Sequence, residues 1–248
     1  MIALILFGVL FLLITVGVPV GFALGGATIL CMALFTNLDL SLVASYAVTG
    51  IDSLPMMAIP FFMLSGVIMS VGGLARRLID VAASVVGWMT GGLGAVVSLS
   101  SMFFGAISGS SMATVSCIGS IMVPEMKKKG YDMGYSAVFT ACAGTIGAVI
   151  PPSIPLVVFG VCTSTSVGDL FVGGILPGIL IGLGLIVSNF IVCKKRGYSG
   201  VERKSGREIL RAIWEAKWAL FAPVIILGGI YGGYFTPTEA SVVAVVYS

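Results

Sequence analysis

Long runs of apolar residues, separated by short polar or basic segments, make up most of this sequence. An apolar run of about 20 residues is what a helix needs to cross the hydrocarbon core of a bilayer. Only 9% of the residues are charged, 58% are hydrophobic and the mean hydropathy is +1.15, whereas about a quarter of the residues in soluble domains are charged. Because the runs are continuous rather than alternating, they predict an all-α, polytopic membrane protein and not a β-barrel.

The charged residues and cysteines exclude several classes of function. The net charge of +3 is small and scattered, which argues against a nucleic-acid-binding surface. The sequence contains no histidine, so His-based triads and the common zinc sites are excluded within it. Its five cysteines lie in apolar segments without CxxC spacing, and we assign them no disulfide. We therefore expect a protein that is not an enzyme.

Basic residues predict which side of the membrane each connection faces. We predict three crossings near the N-terminus, at 2–18, 20–36 and 55–72. The connection at 37–55 carries Asp39 and Asp52 but no lysine or arginine, whereas Arg76 and Arg77 follow the third crossing. The positive-inside rule then places 37–55 outside and the arginines inside. Three crossings put the N-terminus outside.

A serine-rich turn interrupts the next apolar stretch. It has the sequence Ser108-Gly109-Ser110-Ser111 and precedes a second basic cluster at 127–129. Basic residues at both ends place both ends inside, yet the arms, roughly 92–107 and 112–126, are short for full crossings at about 1.5 Å per residue. We therefore predict a re-entrant helical hairpin at about residues 91–126, with the serines at its tip.

Three prolines break the helix that follows. Pro151, Pro152 and Pro155 remove backbone donors and disfavour helical backbone before them, which predicts a discontinuous helix at about 134–166 with its break at 150–155. The remaining chain is predicted to form a crossing at 170–193, an interfacial amphipathic helix on the cytoplasmic surface at 194–217, a crossing at 218–234 and the start of another apolar run at 240–248.

Oxygen atoms cluster at these two interruptions, which we expect to face each other inside the bilayer. Those we single out are the hydroxyls of Ser108, Ser110, Ser111, Thr114 and Ser153 and the carbonyls of Gly147 and Ile150. Neutral, hard oxygens suit a small alkali cation better than a transition metal. All ten acidic residues, Glu202 among them, fall at predicted helix ends, loops or the surface helix, and a proton relay normally uses a carboxylate or histidine inside the membrane. This predicts Na⁺ rather than H⁺, although serine and glycine also serve helix packing.

Five long motifs resemble the large membrane subunit of tripartite ATP-independent periplasmic (TRAP) transporters, the DctM-like permeases. They are PFFMLSG at 60–66, FGAISGSSMATVSCIGSIMVPEMKKKGY at 104–131, AGTIGAVIPPSIPLVVFG at 143–160, SVGDLFVGGILPG at 166–178 and YGGYFTPTEASVVAVVY at 231–247. They follow one another in the family's order over most of the chain.

The resemblance implies a multi-pass protein of the bacterial inner membrane that imports small organic anions, such as C4-dicarboxylates, sialic acid or other sugar acids, with Na⁺. It also implies an elevator-type mechanism built from two inverted repeats. The expected partners are a periplasmic substrate-binding protein and a small four-helix membrane subunit (DctQ-like). The family's large subunit is about twice as long, so we expect this chain to hold one half of the inverted-repeat structure.

The likeness also implies roles for individual residues and segments. The positions that match the family's Na⁺ ligands are Ser108, Ser110, Gly147, Ile150 and Pro152, and we expect Ser111 and Ser153 to face the organic anion. The chain would divide into N-terminal scaffold helices at 1–75, half of a transport domain at 76–193, the surface helix at 194–217, and a scaffold helix with the start of a second repeat at 218–248.

Three other functions stay open at this point. A passive anion channel lined by the hairpin predicts flux without a Na⁺ gradient. A non-transporting membrane assembly subunit is the second. An intramembrane enzyme ranks last, because the chain has no histidine and no carboxylate is predicted in the membrane for acid–base work.

Overall fold

The computed structural model describes residues 2–36, 38–201 and 203–248. Every regular element within these ranges is helical, which confirms the all-α prediction. Position 37, where we began the first outside connection, and Glu202 lie outside the described residues. The chain forms two compact units, Met1–Ser53 and Leu54–Ser248.

The first unit contains three helices: α1 (Ile2–Thr15), α2 (Val20–Phe35) and α3 (Ser41–Ile51). Helices α1 and α2 pack together across a tight turn, where Gly17 has a φ of +93° and Pro19 precedes the first residue of α2. Both helices are shorter than predicted. We predicted a connection without a helix at 37–55, whereas the structure places α3 there. The helix was not predicted because its short, mixed sequence lacks a clear apolar face.

The second unit contains the remaining ten helices among the described residues. They are α4 (Ala58–Val71), α5 (Leu74–Val86), α6 (Gly92–Ser108), α7 (Ser111–Lys128), α8 (Met133–Gly144), α9 (Ile154–Thr163), α10 (Val167–Arg196), α11 (Gly206–Glu215), α12 (Lys217–Tyr231) and α13 (Pro237–Tyr247). A short 3₁₀ turn, Leu54–Met57, leads into α4, and another, Thr145–Ala148, follows α8.

Helix lengths fit a mixture of full and partial spans. By length and composition, two helical segments in the described ranges can cross a bilayer: Leu54–Val71 with 18 residues and Val167–Arg196 with 30. Helices α11 and α12, bent by 60°, add a third if taken as one broken span. Helices α6 and α9 belong to the shorter apolar class, as expected for a hairpin arm and half of a broken helix.

Two helices near the basic segments differ from prediction. We assigned no element to the segment between the third crossing and the hairpin, and there Arg76 and Arg77 lie in α5, which buries Leu78 and Ala82 and exposes the arginines. The amphipathic helix predicted at 194–217 is shorter, because α10 continues to Arg196 and α11 begins only at Gly206.

Local capping explains where α11 starts. The Ser205 hydroxyl accepts from the Glu208 backbone N–H, and the Glu208 carboxylate accepts from the Ser205 N–H at 2.6 Å. This capping box satisfies two donors that a helix start leaves free. The hydrogen bond from the Ser205 backbone holds the pKa of the Glu208 carboxyl below its usual value.

Two large apolar clusters hold the second unit together, and a smaller one joins Ala106 of α6 to Ile146 and Ile150 at the helix break. One joins α5, α6, α7 and α8 around Phe104, Ile118 and Met126. The other joins α4, α9, α10, α12 and α13 around Phe62 and Phe171. The hairpin of α6 and α7 and the break between α8 and α9 are therefore supported by packed helices.

Candidate ion-binding site at the hairpin tip

The α6–α7 hairpin reverses direction within two residues. Helix α6 ends at Ser108, and Gly109 adopts left-handed backbone with a φ of +62° while its N–H donates to the Gly105 carbonyl at 2.9 Å. Ser110 caps α7, because its hydroxyl accepts from the Ala113 N–H at 3.4 Å. The two helical arms and the serine-rich turn between them are confirmed, while the re-entrant position of the hairpin in the membrane stays a prediction.

The break in the next helix overlaps the predicted range of 150–155 but begins and ends earlier. Helix α8 ends at Gly144, and Pro155 lies in the first turn of α9, where its missing N–H costs no helical bond. After the 3₁₀ turn Thr145–Ala148, the backbone is irregular until α9 starts at Ile154. The Ser153 hydroxyl donates to the Ala148 carbonyl at 2.6 Å and accepts from the Leu156 N–H at 3.4 Å. Ser153 therefore closes the turn and caps α9 at the same time.

The hairpin tip and the helix break are in direct contact. The Ile154 N–H donates to the Gly109 carbonyl at 3.0 Å. Glycines make this approach possible, since a Cβ on Gly109 would lie 2.6 Å from the Pro152 carbonyl oxygen and one on Gly105 would lie 2.8 Å from the Gly147 Cα. The prediction that the two interruptions meet is therefore confirmed.

A set of buried neutral oxygens lies at this contact. The Thr114 hydroxyl donates to the Ser110 carbonyl at 2.8 Å and lies 3.2 Å from the Ser108 hydroxyl. Ser108 and Thr114 are 1% and 0% exposed. A Cβ on Gly147 would lie 2.5 Å from the Thr114 hydroxyl oxygen and 2.9 Å from the Ser110 carbonyl oxygen. Hydroxyl and carbonyl oxygens of the hairpin therefore pack against the end of the 3₁₀ turn.

The helix ends around the contact have opposite polarity. The last carbonyls of α6 point towards Ser108, and a helix C-terminus carries partial negative charge that favours a cation. Helices α7 and α9 begin at Ser111 and Ile154, and their N-termini carry partial positive charge that favours an anion. The same small region can therefore stabilise a cation and an anion side by side.

The predicted site residues differ in how far they are buried within the protein. Gly147, Ile150 and Pro152 are buried at the break, and Ser110 and Ser111 are half-buried at the tip. Ser153 is 0% exposed and both of its hydrogen bonds are internal. Hairpin and break bring all seven residues into one neighbourhood, while their roles as Na⁺ or anion ligands stay predictions.

Two further residues belong to this neighbourhood. Thr114 carries the hydroxyl that links Ser108 to the Ser110 carbonyl, although sequence reasoning noted it only as one of several hydroxyls. Gly66 was missed: a Cβ there would lie 3.0 Å from the Ser108 Cβ, so α4 touches the tip. The motif PFFMLSG ends at this glycine and was the available signal.

A cleft of about 280 Å³ runs along the hairpin next to the tip. Gly66 and Ala113 line its tip end, and Ser70, Cys117 and Ser120 give it polar groups. The Ser70 hydroxyl lies 3.0 Å from the Cys117 sulfur. The tip thus has a partly polar approach between α4 and α7.

Comparisons with known proteins agree with this architecture. Residues 7–248 match the model of the family described as "Tripartite ATP-independent periplasmic transporter, DctM component". The chain belongs to the DctM family of TRAP transporter large permeases. It is therefore an integral membrane protein, and its relatives are named as transporter permeases rather than enzymes.

Individual relatives cover most of this DctM-family chain. It is 48% identical over 98% of its length to the isethionate TRAP transporter permease protein DctMQ of Oleidesulfovibrio alaskensis, of which it covers 38%. It is 44% identical over 94% of its length to the C4-dicarboxylate large permease DctM of Vibrio cholerae, and 39% identical over 95% to the sialic acid large permease SiaM of the same species. The chain covers 52% and 55% of those two proteins, so it spans about half the length of such relatives.

Proposed function

We propose that this chain forms the first half of a Na⁺-coupled permease that imports small organic anions across the bacterial inner membrane. The observation that carries the proposal is the contact between the hairpin tip and the helix break, which gathers uncharged oxygens at the ends of several helices. Such discontinuous elements hold the ions and substrates of many secondary transporters.

In the proposed site, Na⁺ binds where helix C-terminal carbonyls and hydroxyls converge. Its ligands come from Ser108, Ser110, Gly147, Ile150 and Pro152. The short lengths of α6 and α9 fit a re-entrant hairpin and a broken helix that do not span the bilayer separately. A second, inverted repeat would complete the transport body and move with it in an elevator-type step.

The proposed substrate is a small carboxylate or sulfonate anion. The relatives are named for isethionate, C4-dicarboxylates and sialic acid, which share a single feature, an anionic head on a small polar body. Half-buried Ser111 stands in the first turn of α7, and Ser153 caps α9. The anion would lie near these two N-termini, delivered by a periplasmic binding protein, with a small membrane subunit supporting the permease.

The test is the double substitution Ser108→Ala and Ser110→Ala in the assembled permease, reconstituted in proteoliposomes. We expect Na⁺-driven uptake of labelled anion to be abolished, because two oxygens leave the site. Ser188→Ala, on the exposed side of α10, is the matched control and should transport normally. Normal Na⁺-driven uptake by the double variant would exclude the site, and wild-type flux without any Na⁺ gradient would favour the passive-channel alternative.

A further inference from the structure

A buried asparagine joins the base of the hairpin to two other helices. Asn189 lies on the apolar helix α10 and is 1% exposed. Its side-chain amide donates to the Gly91 carbonyl at 2.8 Å, and its carbonyl oxygen accepts from the Tyr135 hydroxyl at 2.9 Å and the Cys193 thiol at 3.3 Å. An amide in an apolar helix is costly unless its polar atoms are paired. Asn189 therefore marks a specific junction of α6, α8 and α10.

The backbone of α6 is shaped around this side chain. Gly91 has a φ of +71°, and its N–H donates to the Tyr198 carbonyl at 3.1 Å. A Cβ on Gly91 would lie 2.6 Å from the Cys193 Cβ, and one on Gly94 would overlap the Asn189 carbonyl oxygen. Two glycines within four positions thus leave room for the Asn189 amide. General helix packing does not require glycine at both of these positions.

Helix α6 connects this junction to the hairpin tip. A second long-range hydrogen bond, from the Ser98 hydroxyl to the Gly182 carbonyl at 3.0 Å, also ties α6 to α10. The 17 residues of α6 form one uninterrupted rod of roughly 25 Å. Because α6 is continuous from Gly92 to Ser108 and bonded to α10, the position of its start beside Asn189 constrains the position of Ser108 against the break.

We propose that Asn189 is a positioning residue for the ion site at the other end of α6. This inference rests on the proposed function. The amide fixes the position of the start of α6 along α10. The oxygens of the hairpin tip then lie against the broken helix before Na⁺ binds, and the hairpin does not have to move. When the amide is lost, the ion must also restore the position of the tip, which weakens Na⁺ binding while leaving the translocation step itself intact.

The test measures the Na⁺ dependence of anion uptake by the assembled permease carrying Asn189→Leu. We expect the half-saturating Na⁺ concentration to rise about five- to tenfold, the equivalent of a buried hydrogen bond or two, with the maximal rate at saturating Na⁺ retained within about twofold. Ser188→Leu, the same kind of change on the exposed side of α10, should leave both values unchanged. Tyr135→Phe, which keeps the bond from Asn189 to Gly91, should shift the Na⁺ requirement by less than about twofold.

Two further measurements separate the possible outcomes. Ala23→Gly, at a buried position of α2 in the first unit, is expected to lower the melting temperature without changing the Na⁺ requirement, which distinguishes positioning from general destabilisation. If Asn189→Leu does not assemble, Asn189→Ala replaces it, since the smaller side chain fits the same space and also loses the donor to Gly91. An unchanged Na⁺ requirement in a transporter that depends on Na⁺ overturns the role of Asn189 alone, whereas a wild type without Na⁺ dependence overturns the proposed function as well.

Discussion

Gly109→Ala tests the contact between tip and break most directly. The new Cβ would lie 2.6 Å from the Pro152 carbonyl oxygen, while ordinary contacts begin at 3.4 Å, so the tip must retreat by about 0.8 Å. That retreat lengthens the bond between the Ile154 N–H and the Gly109 carbonyl, now 3.0 Å. The substitution therefore separates the two groups of oxygens without removing any of them.

The expected size follows from two costs. Left-handed backbone costs a residue other than glycine about 1–2 kcal/mol, and losing the bond between tip and break costs about 1 kcal/mol. If Na⁺ binding must restore the native contact, the free energy of Na⁺ binding becomes less favourable by the sum of the two costs, about 2–3 kcal/mol. The half-saturating Na⁺ concentration should then rise roughly 30- to 150-fold.

The assay is the Na⁺ dependence of labelled-anion uptake in proteoliposomes, together with the rise in melting temperature that Na⁺ produces relative to K⁺. Gly130→Ala is the matched control, because Gly130 has a φ of +83° and nothing lies within 4 Å of its added Cβ. It imposes the backbone strain without the collision, so its Na⁺ response should equal that of the wild type. A wild-type Na⁺ response in Gly109→Ala would refute the reasoning that the spacing of tip and break sets the ion site.

Two further predictions concern hydroxyl groups. Thr114→Val removes the hydroxyl next to Ser108 at nearly constant shape, and we expect it to raise the half-saturating Na⁺ concentration about tenfold. Thr49→Val, which removes an exposed hydroxyl with the same bond to the carbonyl four residues back, should change nothing in the same uptake assay. Ser205→Ala should raise the pKa of Glu208 towards its usual value, as measured by NMR titration. The capping box stabilises α11 while Glu208 is ionised, above the usual glutamate pKa, and this contribution is lost as the pH falls through the lowered value.

The hairpin and the break were predictable because local chemistry specifies them. A glycine between serines can end one helix and cap the next, and consecutive prolines prevent a helix from continuing. The predicted arms at 92–107 and 112–126 differ from α6 and α7 by at most two residues at each end. The expectation that the two interruptions meet had further support from the family resemblance, which implies a Na⁺ site between the hairpin tip and the broken helix.

Other features could not be read from local pattern. Helix α5 has an apolar stripe, but its paired arginines are also the usual signal of a membrane boundary. The sequence pattern therefore did not single out a helix at this position. The bond between Asn189 and Gly91 joins residues 98 positions apart, and nothing in either local sequence names the other as partner. The role of Gly66 likewise depends on where α4 lies against the tip, which is set by tertiary packing.

The uncharged character of the oxygens at the tip bears on how ion and substrate would be coupled. Without a carboxylate among the proposed ligands, bound Na⁺ brings a full positive charge to a region that otherwise offers only helix ends. A cation and a carboxylate about 6 Å apart attract by roughly 3 kcal/mol at an effective dielectric constant of about 20. That energy corresponds to about a hundredfold in affinity, and linkage requires that the anion strengthen Na⁺ binding by the same factor. A neutral site next to two helix N-termini would therefore favour binding both ions together over binding either one alone, which would link anion uptake to Na⁺ in the proposed symport.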